Sequence, residues 1–269
     1  MISRALTTVL LTGLVGGLLV TGIQMLRVVP MIIQAENYEQ NEFVRHQITE
    51  EPGVSMDSDF NRPTILADKK SQTLKDKTKL FHQNSELNHV HESASWIPED
   101  GLERTFYTCI SNILIGIAFS LMLVAVYLLR GKSVDISSGL FWGATGFVVF
   151  SLAPSLGMPS KLPGMTVATL EARQIWWVFT VTSTAVGIGF LTESKSILLK
   201  MVAVILIILP QIIGAPNPHL FESMIPAELS SQFVTASLLT SAFFWVVVGA
   251  FSGFLYKKLV QELTMVSSS

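Results

Sequence analysis

Long apolar runs separated by short polar ones fill most of the chain; the exception is one polar stretch between residues 31 and 104. A bilayer core about 30 Å thick needs roughly 20 apolar helical residues to cross it. Six stretches reach that length: residues 5–29, 106–129, 137–156, 174–191, 196–214 and 232–256. Only Thr192-Glu193-Ser194-Lys195 divides the fourth from the fifth, enough polar chain for a tight hairpin between antiparallel helices. The first run starts behind Arg4, as a cleaved signal peptide would. It is too long for one, however, and no small-x-small site follows; the chain continues Val28-Val29-Pro30-Met31-Ile32-Ile33. The pattern therefore predicts an all-α integral membrane protein, a bundle of about six transmembrane helices with one long polar extracytoplasmic loop. Residues 1–30 form an uncleaved first helix, 31–104 a polar and partly disordered insert, and 105–269 a five-helix bundle.

Composition sharpens that division. The 269 residues are 49% hydrophobic and 14% charged, where a soluble domain carries about a quarter charged residues. Of the 38 charged side chains, 22 fall in residues 31–104. Pro52, Pro63 and Pro98 interrupt that insert, which is too poor in apolar residues for a core of its own, and residues 47–95 are expected to be flexible or partly helical. A net charge of −2 gives no basic excess for a nucleic-acid backbone, so nucleic acid is excluded as a partner and lipid is the expected surroundings. The lone Cys109 can form neither an intramolecular disulfide nor a CxxC metal site.

Lys and Arg in the short loops set the orientation. With a cytoplasmic N-terminus, the inner side receives Arg4, Arg130, Lys132, Lys195, Lys200, Lys257 and Lys258, and the short outer loops keep Lys161 and Arg173. Both termini are then cytoplasmic and the membrane is the inner (plasma) membrane. All five histidines lie outside, and of the carboxylates only Asp135, Glu193 and Glu262 lie inside. Gly13 with Gly17, Gly139 with Gly143 and Gly249 with Gly253 recur at the spacing that lets helix backbones approach closely, which suggests a packed bundle. The alternative is the general frequency of glycine in membrane helices.

Three constellations could carry chemistry. His82, His89, His91 and Glu92, with Glu86 between them, supply the imidazole and carboxylate ligands of borderline divalent metals such as cobalt, nickel and zinc; the other reading is a solvated loop. Glu36 and Glu39 are three apart, so a continuing helix puts both on one face above Gln24 and Arg27. That arrangement is either a cation-attracting mouth or a plain interfacial helix end. The proline-rich exit from the third span, around Ala153-Pro154 and residues 159–165, leads to Glu171, Arg173 and Gln174. Broken backbone at membrane depth is tolerated where it is buried or lines a cavity, and Gly214-Ala215-Pro216-Asn217-Pro218-His219 forms a similar break. Gln24, Asn112 and Gln211 are the remaining polar candidates inside the spans, with Arg27, Glu171, Arg173 and His219 beside the expected pathway.

The chain has no Walker A pattern, dinucleotide glycine fingerprint, GxSxG or HExxH, and is expected not to be an enzyme. Its span interiors carry no Asp or Glu for a proton or sodium relay. A channel-like route, or a partner that supplies the coupling, follows.

Several strings together resemble CbtA, a family of proposed cobalt transporter subunits, over nearly the whole length. They are Val29-Pro30 to Glu36-x-Tyr38-Glu39, Gly101-Leu102-Glu103-Arg104-Thr105, Leu152-Ala153-Pro154-Ser155-Leu156-Gly157 and Leu162-Pro163-Gly164-Met165. Ala172-Arg173-Gln174-Ile175-Trp176-Trp177, Ile213-Gly214-Ala215-Pro216 and Pro226-Ala227-Glu228-Leu229 to Phe244-Trp245 follow in order. The resemblance implies a cobalt permease serving cobalamin biosynthesis, with cobalt(II) as the transported ion, no permanently bound cofactor, and a small single-span partner, CbtB. It places a histidine-rich segment before Gly-Leu-Glu-Arg-Thr, which maps to His82, His89 and His91. This chain departs from the family in having fewer histidines there, and Gln211 and Asn217 where many members have histidine. A homo-oligomer is a further expectation, and a non-transporting accessory or scaffold subunit is the alternative function.

Overall fold

The structure, a computed structural model, describes residues 2–50, 101–217 and 225–262, and every regular element among them is helical. Helix α1 (Ile2–Ile23) passes through a π turn (Gln24–Val28) into α2 (Val29–Glu50). Then come α3 (Leu102–Arg130), α4 (Ile136–Phe147), a second π turn (Val148–Leu152) and α5 (Ala153–Gly157). The chain continues with α6 (Leu170–Glu193), α7 (Ile197–Ile213) and α8 (Ala227–Leu255), which runs on into a π-helical end (Tyr256–Glu262).

Five runs are long and apolar enough to cross a membrane: Ile2–Asn41, Leu102–Arg130, Ile136–Gly157, Leu170–Glu193 and Ala227–Val260. The sixth, α7, has 17 residues, about 26 Å of helix, a little under the hydrocarbon thickness. Its Ile197, Leu198, Met201, Ile205 and Ile212 are exposed, an apolar face suited to lipid rather than water. α6 and α7 form the expected hairpin across Ser194–Ser196. Ser183 donates to the Leu206 carbonyl at 2.6 Å, and Gly187 lies against Ala203.

The two π turns have a common cause in the sequence. Each ends one residue before an X-Pro pair, Val29-Pro30 and Ala153-Pro154. Proline lacks an N–H and its ring clashes with the carbonyl four residues back. A π turn inserts one extra residue and shifts the bonding to i−5, and here the Val29 N–H donates to Gln24 O and the Ala153 N–H to Val148 O. The third span therefore runs through Pro154, as the stretch 137–156 predicted, and is widened there and not broken. It widens at Val148–Leu152, continues to Gly157, and leaves helix only beyond. The first helical run likewise passes Pro30 and residue 31 and carries Glu36 and Glu39 on helix.

Glycine sets the closest contacts. A Cβ at Gly13 or Gly17 would fall on the α3 backbone at Ile117 or Ile113, and one at Gly116 would lie 2.6 Å from Gly13 O. On the other side of the bundle Gly139 and Gly143 of α4 face Gly249 and Gly253 of α8; a Cβ at Gly249 would sit 2.6 Å from Gly139 O and 2.9 Å from Gly143 Cα. Helix α1 also packs on α8, where Val9, Val20, Val124, Tyr127, Trp245 and Val248 form one buried cluster. The glycine pairs thus hold α1 to α3 and α4 to α8 at backbone contact, with α8 central to both.

Candidate functional site

Between these helices the two π turns open a chamber of about 310 Å³. Six polar side chains converge on it: Gln24 from the first π turn, Asn112 from α3, Ser151 from the second π turn, and Ser237, Thr240 and Ser241 from α8. Asn112 Nδ2 donates to Gln24 Oε1 at 2.6 Å and to Thr21 Oγ1 at 3.0 Å. The hydroxyls of Ser151 and Ser241 share a hydrogen bond of 2.6 Å. The chamber is therefore lined by neutral amides and hydroxyls, groups that offer lone pairs without fixed charge.

Aromatic rings close the chamber toward the Arg130 end of the bundle. Phe119 follows Asn112 by seven residues, about 10 Å along α3, and its ring lies 4.7 Å from Trp245, 5.1 Å from Phe150 and 6.0 Å from Phe244. Trp245 is 1% exposed and stacks on Phe150, with Gly146 making room for its ring. Toward the Arg104 end, Trp177 lines both the chamber and a larger vestibule of about 1100 Å³ formed by Ile32, the segment 158–168, the start of α6, Pro216 and Phe233.

At the mouth, Arg104 grips Glu36 with two parallel hydrogen bonds of 2.9 and 3.3 Å between half-buried side chains. Glu39, one turn on, is exposed and lies against Gly164, whose φ of +77° lets the vestibule loop turn. Arg27 is exposed on the first π turn. Glu171 is exposed in the first turn of α6, whereas Arg173 lines the vestibule with a buried Nε that has no hydrogen-bond partner among the described residues.

The opposite end carries the other charges. Arg130 pairs with Glu193 and lies 4.8 Å over the Trp142 ring, and Lys132 reaches Glu193 at 3.9 Å. Asp135 caps α4 by accepting from the Ser138 N–H at 2.8 Å. Hydrogen bonds from the Ser138 backbone, then from its side chain, hold the Asp135 carboxyl below the usual range, and Lys257 adds to this.

The family described as probable cobalt transporter subunit (CbtA) matches residues 2–257, nearly the whole chain. The chain belongs to the CbtA family. Nothing among curated proteins or among solved structures matches it. With its five to six apolar helices, this CbtA chain is a multi-pass membrane protein and, by its family's description, a subunit of a probable cobalt transporter.

Of the residues singled out in the CbtA sequence, Gln24 and Asn112 come together in the chamber, Arg173 lines the vestibule, and Glu36, Glu39, Arg27 and Glu171 surround the mouth. Gln211 does not reach the chamber; its Nε2 donates to the Ala153 carbonyl at 2.9 Å, tying α7 to α5. His82, His89, His91, Glu92 and His219 lie outside the described residues. Among the described residues no group of three His, Cys, Asp or Glu side chains is placed to hold a metal. Sequence reasoning missed Ser151, Ser237, Thr240 and Ser241. Their signal was weak but present: three hydroxyl residues at i, i+3 and i+4 share one face of an apolar helix.

Proposed function

We propose that this chain carries cobalt(II) inward across the plasma (inner) membrane, from the mouth past Trp177 and into the chamber, in the service of cobalamin biosynthesis. The observation that carries the reading is the convergence of six neutral polar side chains, two of them amides, on one cavity inside the bundle. Amide and hydroxyl oxygens can replace part of a cation's hydration shell, yet they bind weakly enough to let it leave, as conduction requires. Phe119, Trp177 and Trp245 line the same chamber with aromatic carbon and add no fixed charge. The aromatic cluster corresponds to a route closed at the Arg130 end. In this orientation that end, rich in Arg and Lys, faces the cytoplasm together with both termini.

Capture would begin on the extracytoplasmic insert, at His82, His89, His91 and Glu92. At the mouth Glu39 and Glu171 are the exposed carboxylates open to an arriving ion, because Glu36 is already paired with Arg104. The family's description as a subunit fits both a CbtB-like single-span partner and self-association. A second reading is favoured by the absence of a three-ligand metal cluster among the described residues: an accessory subunit whose partner forms the route.

Purified protein in liposomes, alone and with a single-span partner, tests the choice with labelled cobalt, nickel and zinc in a common buffer. Cobalt accumulation above empty vesicles, lost in Asn112→Leu, is the expected result. No accumulation with or without the partner removes the route through this chain. Accumulation that needs the partner and ignores Asn112→Leu selects the accessory reading. In cells, replacing His82, His89 and His91 by alanine should lower cobalt uptake only at low external concentration; unchanged uptake removes the insert from capture.

A further inference from the structure

We propose that the vestibule binds one acidic phospholipid, with its headgroup phosphate on Arg173 and an acyl chain along the apolar walls. Arg173 is the starting point. Its Nε is buried without a hydrogen-bond partner, and among the described residues no carboxylate pairs with its guanidinium. Arg173, in the first turn of α6, stands at the headgroup end of its span, and planar N–H donors match phosphate oxygens two at a time. The acidic groups around the mouth do not answer it. Glu171 is exposed at the first turn of α6, Glu39 lies against Gly164 of the vestibule loop, and neither forms an ion pair with Arg173.

The surroundings of Arg173 favour an anion. The N-cap residue of α6, Thr169, makes no side-chain bond to the helix, so the free N–H groups of the first turn are left to a ligand or solvent. Lys161 also lines the vestibule, held in place by donating to the Thr166 carbonyl at 2.7 Å while keeping its positive charge. Ser160 and Gln174 add neutral polar groups on the same lining.

The walls exclude a small hydrophilic anion as the sole occupant. Ile32, Leu162, Met165, Val178 and Phe233 make the vestibule predominantly apolar, and its volume of about 1100 Å³ exceeds a usual small-ligand pocket. From Leu170 to Val178 the lining runs about 12 Å down α6, from the helix start into the hydrocarbon, with cationic groups at the top and apolar ones below. That gradient matches a phospholipid standing in its own leaflet. An inorganic phosphate, or a cobalt chelate with carboxylate ligands, would satisfy Arg173 and leave the walls unfilled.

Full-length protein purified in a mild detergent tests this by native mass spectrometry and thermal unfolding with added phosphatidylglycerol or phosphatidylcholine. Wild type should retain one phosphatidylglycerol at least about tenfold more tightly than phosphatidylcholine and gain thermal stability from it. Arg173→Gln should lose about tenfold in retention, the effect of removing a charge-assisted donor. Val178→Trp, which fills the apolar wall and leaves the charges intact, should also lose it. Millimolar inorganic phosphate should not displace the lipid. Equal retention of the two lipids, undiminished retention in folded Arg173→Gln, or displacement by phosphate overturns the proposal. If Arg173→Gln does not fold, wild-type selectivity and Val178→Trp decide. None of these readouts involves cobalt, so the lipid site and the transport reading stand or fall separately.

Discussion

Replacing Gly249 by alanine should destabilise the protein, whereas the same change at Gly22 or Gly189 should not. A Cβ at Gly249 would lie 2.6 Å from Gly139 O and 2.9 Å from Gly143 Cα. Both atoms belong to the α4 backbone and cannot rotate away. Carbon contacts are comfortable at about 3.5–4.0 Å, so α4 and α8 would have to separate locally by nearly an ångström. Over-packing of this kind costs about 1–3 kcal/mol, and the separation also loosens the Gly139–Gly253 contact one turn away. At Gly22 and Gly189 a Cβ meets nothing within 4 Å, so alanine brings only its better helix propensity, a gain of about 0.5–1 kcal/mol. The two kinds of site should therefore differ in sign, with a spread of about 1.5–4 kcal/mol. Reversible unfolding of each variant in mixed micelles measures this, or a thermal midpoint that moves by about 2–4 °C per kcal/mol in a chain of this size. If Gly249→Ala unfolds at or above the wild-type midpoint, α4 and α8 are not in backbone contact, and the glycine-based account of the bundle fails.

Asn112→Leu should lose about 1 kcal/mol of stability, since it removes two interhelical hydrogen bonds worth on average about 0.6 kcal/mol each in lipid; micelle unfolding would read it, and a neutral result would mean that Thr21 and Gln24 find other partners. Glu36→Gln and Arg104→Gln should each cost about 1 kcal/mol or less, because both side chains are about a third exposed, and the double variant should cost less than the sum of the two; additive losses would show that the two groups act separately. The Asp135 carboxyl is held below its usual range in the folded chain, so its contribution is fully present above the ordinary carboxylate value and is lost as the pH falls through the lowered folded value. Wild type and Asp135→Asn should accordingly differ in thermal midpoint at neutral pH and converge in acid, and a difference that persists unchanged in strong acid would show that the cap does not depend on the charge.

The spans were legible because a bilayer imposes one simple requirement, about 20 apolar residues per crossing, and the chain meets it repeatedly. The glycine pairs were legible as a possibility only. Spacing shows that Gly139 and Gly143 share a face, and so do Gly249 and Gly253, but nothing along the chain says that these two faces meet each other while Gly13 and Gly17 meet α3. The prolines misled for a physical reason. Proline read alone ends a helix, and at Pro154 the helix instead absorbs it with one extra residue, an adjustment that neighbouring helices make tolerable in lipid and that proline alone does not foretell, since α7 carries Pro210 without a π turn.

The site shows the same limit more sharply. Gln24 and Asn112 stood out because amides are rare in a membrane span, and they do bond to each other across 88 residues of chain. The serines and threonine that complete the chamber did not stand out, since hydroxyl residues are common in such helices and usually bond to their own backbone, as Thr180 does to Trp176 O. What distinguishes Ser151 and Ser241 is that they bond to each other instead, and that depends on the second π turn placing Ser151 opposite α8. The Glu36–Arg104 pair carries the same lesson at the mouth. Two acidic residues on one helix face read as a cation collector, but the structure brings an arginine from 68 residues away onto one of them and leaves Glu39 exposed. Charge counted along a sequence therefore overstates what a mouth offers to an ion. The quantity that matters is the charge left after pairing: among the described residues Glu39, Glu171 and Arg27 keep theirs at the mouth, and Arg173 has no carboxylate partner in the vestibule.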